Sequence, residues 1–256
     1  MSQAESDPSG MNAIRRESPA AFSPLYQQIK QLLLRSLEEG EWKPGEAIPS
    51  EFELAGRFHV SQGTVRKAID ELAAEHILIR RQGKGTFVAT HHEPVVRFRF
   101  LKLAPIEGEP VPATSEILWC RKIRANSVVA KALDLRAGEA LIYIRRVLSF
   151  AGTPTLVDDI YLPANLFKGL SMSMLRESPG PLYGLFESKF GVSMVRAEEK
   201  VRAMAAPEDV ADLLGIVLAY PLLRVDRISY TYGDRAVELR YGHYLTDQYC
   251  YRNSLI

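Results

Sequence analysis

Residues 59–72 read HVSQGTVRKAIDEL. Two hydroxyls (Ser61, Thr64), an amide (Gln62) and a glycine (Gly63) stand directly ahead of two cations, Arg66 and Lys67. Hydroxyl, amide and guanidinium groups in one short run suit hydrogen bonds to phosphate oxygens and base edges. Gly63 has no side chain, so the backbone there can approach a phosphate closely. Further on, RRQGKGT sets Arg80, Arg81 and Lys84 around Gln82 and Gly83, a tight basic tip able to reach phosphates or a minor groove.

The whole-chain net charge of +1 makes no case for a polyanionic partner, so the distribution of charge must carry the argument. Residues 20–90 hold nine lysines and arginines against nine aspartates and glutamates, yet the signs are segregated. No acid lies between Arg57 and Ile69, and none between His76 and Thr90. These are the two segments singled out above, and their local charge favours a duplex.

Other chemistry is sparse. Cys120 and Cys250 lie far apart with no metal-ligand spacing and read as small buried hydrophobes in a reducing cytoplasm. His91-His92 reads as part of a solvated linker, and with His243 the only other histidine in the second half, no metal site is expected. No nucleophile–base pair or cofactor motif stands out, so neither enzyme activity nor a cofactor is expected. No signal peptide and no run of about 18 apolar residues is visible, which points to a cytoplasmic protein without a membrane partner. Apolar content of 46% and charged content of 25% are ordinary for a soluble globular protein.

The elements that would position these groups follow from periodicity. The Ser-, Pro- and Gly-rich residues 1–19 read as a disordered tail. LYQQIKQLLLRSLEEG repeats apolar residues at helical steps, with Pro24 suited to its first turn and Gly40 to its end. Ser50 and Glu53 form a capping box ahead of EFELAGRF. Ser61 caps a third helix whose inner stripe is Val65, Ala68, Ile69, Leu72 and Ala73. ILIRRQGKGTFVA reads as a hairpin. Helix, loop, helix, three-residue turn, helix and hairpin is winged helix-turn-helix order, assigned to residues 20–89 with a linker at 90–97. From 98 to 256 the pattern shifts to strands, clearest in ALIYIRRVLSF, TLVDDIYL, LLRVDRISYTY and AVELRYGHYL, with short helices at PLYGLFESKFG and PEDVADLLG. The fold class expected is α+β, with an antiparallel sheet in the second domain.

Residues Ser23–Val88 resemble the DNA-binding domain of GntR-family bacterial transcriptional regulators. The resemblance is carried by PLYQQI, WKPGEAIPSEFELA, VSQGTVRKAIDEL and RRQGKGTFV. It implies DNA contacts at Ser61, Gln62, Gly63, Thr64 and Arg66 on the third helix and at Gln82 and Gly83 in the hairpin. Ser50, Lys67, Arg80, Arg81 and Lys84 are counted with them. The family usually reads PSERELA and VSRTTVR; here Phe52 replaces the first Arg and Gln62-Gly63 replaces Arg-Thr. Since Arg favours guanine and Gln favours adenine, a weaker guanine preference is expected at the base facing Gln62.

The second half resembles the ligand-binding UTRA domain of the HutC subfamily, of chorismate-lyase-like α+β fold. RRVLSFAGTPTLVDDIYLP, PLYGLF, DLLG and VELRYGHYLTDQY carry this resemblance. It implies an effector site with an anion-binding Arg146, the acid Asp158, and Glu238 and Tyr244 from the last long strand. Glu238 and Tyr244 are six apart and so share a strand face. The alternative reading of these charges is internal ion pairing. Phosphosugar-sensing members carry a second Arg where this chain has Leu148, and a serine where it has Pro181, which argues against a sugar phosphate. The function implied is a ligand-responsive repressor that binds a palindromic double-stranded DNA operator as a homodimer and is released by a small polar metabolite. The alternatives are a small-molecule-converting enzyme with a DNA-binding attachment, and a constitutive DNA-binding protein whose second domain only dimerises.

Overall fold

A computed structural model of the chain describes residues 23–93, 100–178 and 180–253. The expected tail at 1–19 lies outside the described residues. The first body is built from α1 (Leu25–Glu38), α2 (Glu51–Phe58), α3 (Gln62–Ala74), β1 (Leu78–Arg81) and β2 (Gly85–Val88). Pro24 sits one position before α1 as its cap, with extended backbone. The Ser50–Glu53 capping box is present, and His59 ends α2 in the left-handed conformation at φ 54°. Ser61 caps α3 by accepting the Thr64 amide. Ile29, Leu33, Leu54, Val65, Ile69 and Leu72 close the core between the three helices. β1 and β2 pair antiparallel from Leu78↔Val88 to Arg81↔Gly85, projecting the wing.

The second body is a six-stranded antiparallel sheet in the order β4-β5-β6-β9-β8-β7. Its strands are β4 (Ala113–Arg124), β5 (Ala140–Phe150), β6 (Thr153–Pro163), β7 (Arg196–Ala205), β8 (Pro221–Tyr230) and β9 (Ala236–Tyr244). The short strands β3 (Leu103–Pro105) and β10 (Tyr249–Tyr251) pair separately. Helices α4 (Ser127–Ala132) and α7 (Glu208–Leu214) cover one sheet face through Leu141, Leu239, Val147 and Val157. Helices α5 (Met172–Glu177) and α6 (Leu182–Phe190) pack towards the other face, over Ile142, Ile144, Ile160 and Leu162. Because side chains alternate along a strand, the neighbours Arg145-Arg146 and Asp158-Asp159 send one member of each pair to each face.

The two bodies touch. Val195 and Tyr232 pack against the core of the first body, and Glu38 of α1 lies beside Gly233. The linker expectation is corrected at its start: His91 is not solvated but 2% exposed, and its Nε2 accepts the Met194 amide at 3.2 Å. His92 is exposed.

Candidate functional site

Of the residues singled out on the first body, Gln62, Arg66 and Arg80 converge on one carboxylate, that of Glu51. Ser61, Gln62, Gly63, Arg66, Lys67 and the tip from Arg81 to Lys84 are exposed. The Ser61 hydroxyl accepts the Thr64 amide at 3.2 Å, and the two hydroxyls lie 2.9 Å apart. A Cβ on Gly63 would meet only Ser61 Oγ at 3.9 Å among the described residues, so none of their contacts requires glycine there. Ser50 spends its hydrogen bonds on its own cap, its amide donating to Glu53 Oε2 at 2.8 Å and its hydroxyl accepting the Glu53 amide. Lys67 Nζ lies 3.9 Å from the Tyr26 ring centroid, and Arg81 pairs with Glu93 and stacks over Phe87.

Sequence distance hid one acid in this basic face. Glu51, at the start of α2, accepts from Arg66 Nε at 2.9 Å, Arg80 Nη1 at 2.9 Å and Gln62 Nε2 at 3.3 Å. Asp70 takes the other end of Arg80 at 2.6 Å. Hydrogen bonding from Arg66 is the main reason that the Glu51 carboxyl is held below its ordinary range. One carboxylate thus ties the third helix and the wing together.

The second body contains a cleft of about 1240 Å³. Arg146, Asp158 and Tyr244 line it, as do Arg227, Arg240 and Tyr183, which the sequence reading did not single out. Leu148, Phe150, Leu156 and Phe100 give it apolar walls. Register brings Arg146 of β5 directly opposite Asp158 of β6. Arg146 donates from Nε and Nη2 to Asp158 Oδ2 at 2.9 and 2.7 Å, and Arg240 Nη1 reaches the same oxygen at 3.1 Å. Burial alone would raise the Asp158 pKa, but the charges of Arg240 and Arg146 outweigh it and hold the carboxyl below its ordinary range. Asp158 Oδ1 is buried without a hydrogen-bond partner among the described residues.

Glu238 shares the sheet face with Tyr244 but does not line the cleft. It is fully buried behind the floor, where Arg240 donates to both its oxygens, at 3.2 and 2.8 Å. Tyr183 and Ser229 complete its shell at 2.6 and 3.1 Å. Glu238 is therefore the counter-charge that holds Arg240 in place. Internal ion pairing and a cleft coexist here: the same arginines that neutralise carboxylates also line the cavity. Tyr244 lies along its strand over Gly242, where an added Cβ would come within 2.6 Å of the ring. Its hydroxyl makes no hydrogen bond among the described residues. Arg227 is anchored by Glu199 and the Phe100 carbonyl. Arg240 could have been found by the two-residue alternation that paired Glu238 with Tyr244; Arg227 and Tyr183 offered no comparable signal.

Helix α6 connects this floor to the first body. At one end Tyr183 holds Glu238; one turn later Glu187 accepts from the Thr90 hydroxyl, the His91 amide and Ser193. Burial pushes the Glu187 carboxyl above its ordinary range despite these donors. The His91 ring packs edge-on to Tyr183 at 5.4 Å and lines the cleft. Thr90 and His91 follow the wing strand by only two and three residues. Among the described residues no His, Cys, Asp and Glu cluster could hold a metal ion, and no helix is long and apolar enough to cross a membrane.

Comparison with known proteins matches this architecture. Residues 25–88 fit the gntR family of bacterial regulatory proteins, and residues 111–250 fit the UTRA domain. The histidine utilization repressor of Pseudomonas putida is 29% identical over 220 residues, covering 84% of each chain. The mannosyl-D-glycerate transport/metabolism system repressor MngR of Escherichia coli is 27% identical over 230 residues, covering 88% of this chain and 93% of that one. The crystal structure of a ligand-binding domain from a Bordetella bronchiseptica protein assigned to the GntR-family regulators is 59% identical, with a TM-score of 0.61. It covers 62% of this chain and 98% of its own. The chain therefore belongs to the GntR family of bacterial regulatory proteins, with a UTRA domain as its second half.

Proposed function

We propose that the protein is a transcriptional repressor whose α3 and wing bind an operator and which is released when a small molecule enters the cleft. The observation that carries this reading is the path through α6. Tyr183, on the cleft floor, and Glu187, which holds the exit of the wing strand, are one helical turn apart, and His91 touches both regions. A ligand seated against Tyr183 and His91 would contact groups whose positions depend on where the head sits. That gives it the differential affinity for two head positions that allosteric release requires. The names of the repressors from Pseudomonas putida and Escherichia coli support the same role. As in other helix-turn-helix proteins, two heads in a homodimer would occupy the two halves of a palindromic operator, in the cytoplasm.

The ligand this cleft suits has a polar head and an apolar body. Arg146, Asp158 and Tyr244 offer a cation, an acceptor and a hydroxyl on the floor, while Leu148, Phe150 and Leu156 leave the walls apolar. Leu148 leaves the wall apolar at that position, while Arg227 and Arg240 add cations beside Arg146.

A thermal-shift screen of metabolites on the full chain, with each hit then titrated into the operator complex, tests the reading. Hits should release the operator, Arg66→Ala should abolish operator binding while retaining the hit, and Tyr183→Phe should bind the operator but respond less to the hit. Ligands that bind yet never alter operator affinity would show a constitutive DNA-binding protein. Turnover of a hit would show an enzyme.

A further inference from the structure

We propose that Glu51 is a specificity-determining residue: it fixes the orientation of the Gln62 amide and so makes Gln62 a reader of adenine. The inference rests on the reading that α3 contacts the operator, and goes beyond it.

An ionised carboxylate can only accept hydrogen bonds, whereas a glutamine amide has an accepting oxygen and a donating NH2. Glu51 Oε2 lies 3.3 Å from Gln62 Nε2, so the amide must turn its NH2 towards Glu51 and its oxygen away. The reverse orientation would place two acceptors against each other. Glu51 stays ionised because Arg66 and Arg80 both donate to it, and it is held in place from the recognition helix and the wing at once. Its side chain is only 13% exposed, whereas that of Arg66 is 58% exposed. The anchor is therefore sheltered while the groups that it orients face outwards.

An amide NH2 has two hydrogens. In the proposed geometry, the one pointing away from the amide oxygen serves Glu51. The other hydrogen and the oxygen remain side by side on the outer edge, one donor next to one acceptor. Adenine presents the complementary pair in the major groove, N7 as acceptor and N6 as donor. Guanine presents two acceptors, N7 and O6, and would meet the fixed oxygen unfavourably. A glutamine free to flip could adapt to other edges; one held by Glu51 cannot. This sharpens the consequence of having Gln62 where relatives have arginine: the chain has replaced a guanine-directed cation with an amide whose direction is set by a neighbour.

The test is selection of operator sequences from a randomised duplex pool by the full chain, comparing wild type with Gln62→Ala, Glu51→Gln and Glu51→Ala. Gln62→Ala identifies the base position that Gln62 faces. Wild type should prefer adenine over guanine there by about tenfold or more. Both Glu51 variants should lose most of that preference while keeping the preferences at positions not faced by Arg66 or Arg80, the other two groups that Glu51 holds. They should also bind a scrambled duplex more tightly, because a negative charge has left the DNA face; a misfolded variant would not. A Gln62-dependent preference that survives both Glu51 substitutions would overturn the proposal, as would guanine at that position. If wild type selects no sequence, or Gln62→Ala changes no position, the reading of α3 fails and the role of Glu51 falls with it. If Gln62→Ala changes one position and the Glu51 variants change none, only the role of Glu51 fails.

Discussion

Asp158→Asn should be among the most costly single changes in the second domain. Asp158 is fully buried, and its one engaged oxygen takes two bonds from Arg146 and one from Arg240. Arg240 would keep Glu238, but Arg146 would lose its carboxylate partner. Breaking a buried ion pair by removing one partner costs about 3–5 kcal/mol, because the remaining charge stays buried. Domain stability is typically about 5–15 kcal/mol, so a large share would go. For a domain of this size the loss corresponds to a fall in Tm of roughly 6–20 °C. The chain has two tryptophans, Trp42 in the core of the head and Trp119 on β4. On a Trp42→Phe background, Trp119 fluorescence during urea unfolding therefore reports the second domain alone. Adding Arg146→Met should restore part of the loss by removing the orphaned cation. Asp158 has a lowered folded pKa, so its contribution is present above its ordinary value near 3.9 and is lost only as pH falls below it. The deficit of the variant should therefore persist at pH 7 and shrink in acid. A cost below about 1 kcal/mol would refute the reasoning, since that is how a solvent-screened surface pair behaves.

Two further outcomes are expected. Ser50→Ala removes the hydroxyl half of the capping box and should destabilise the head by about 1 kcal/mol, read from Trp42 on a Trp119→Phe background. Burial, then the Arg224 charge, lower the His243 pKa from its ordinary 6.5 to about 4, so between those values the unfolded chain binds the extra proton. Stability should accordingly fall as pH drops from 7 to 4, by up to about 3 kcal/mol from this residue, a component that His243→Gln should lack in urea titrations at each pH.

The head was legible in the sequence because its determinants are local. Ser50 with Glu53, Ser61 with Thr64, the four- and three-residue steps of Val65, Ile69 and Leu72, and the glycines of the wing each act within a few residues of one another. Strands β5, β6, β8 and β9 were legible for a related reason: they are apolar enough to mark themselves as central to a sheet. The outer strands β4 and β7 were not singled out. Residues such as Arg196, Glu198, Glu199, Lys200 and Arg202 on β7 carry little alternation, because this edge strand buries none of its residues fully and so declares no buried face. Helices α4 and α5, at six residues each, are too short for periodicity to show.

Sequence alone determined that the chain pairs a helix-turn-helix head, neutral overall but with segregated charge, with a strand-rich second half, and it placed Arg146, Asp158 and Tyr244 among the candidate residues. Only the tertiary structure decided how those charges are balanced. It put Glu51 beside Gln62, Arg66 and Arg80, which charge counting along the chain had left free of acids. It moved Glu238 behind the cleft floor and brought Arg227, Arg240 and Tyr183 forward. It drew His91 out of an expected solvated linker into the contact between head and cleft. The reason is range: caps, turns and amphipathic faces are set by residues a few positions apart, whereas a Coulombic partner is chosen by distance in space, which strand register and domain packing fix last.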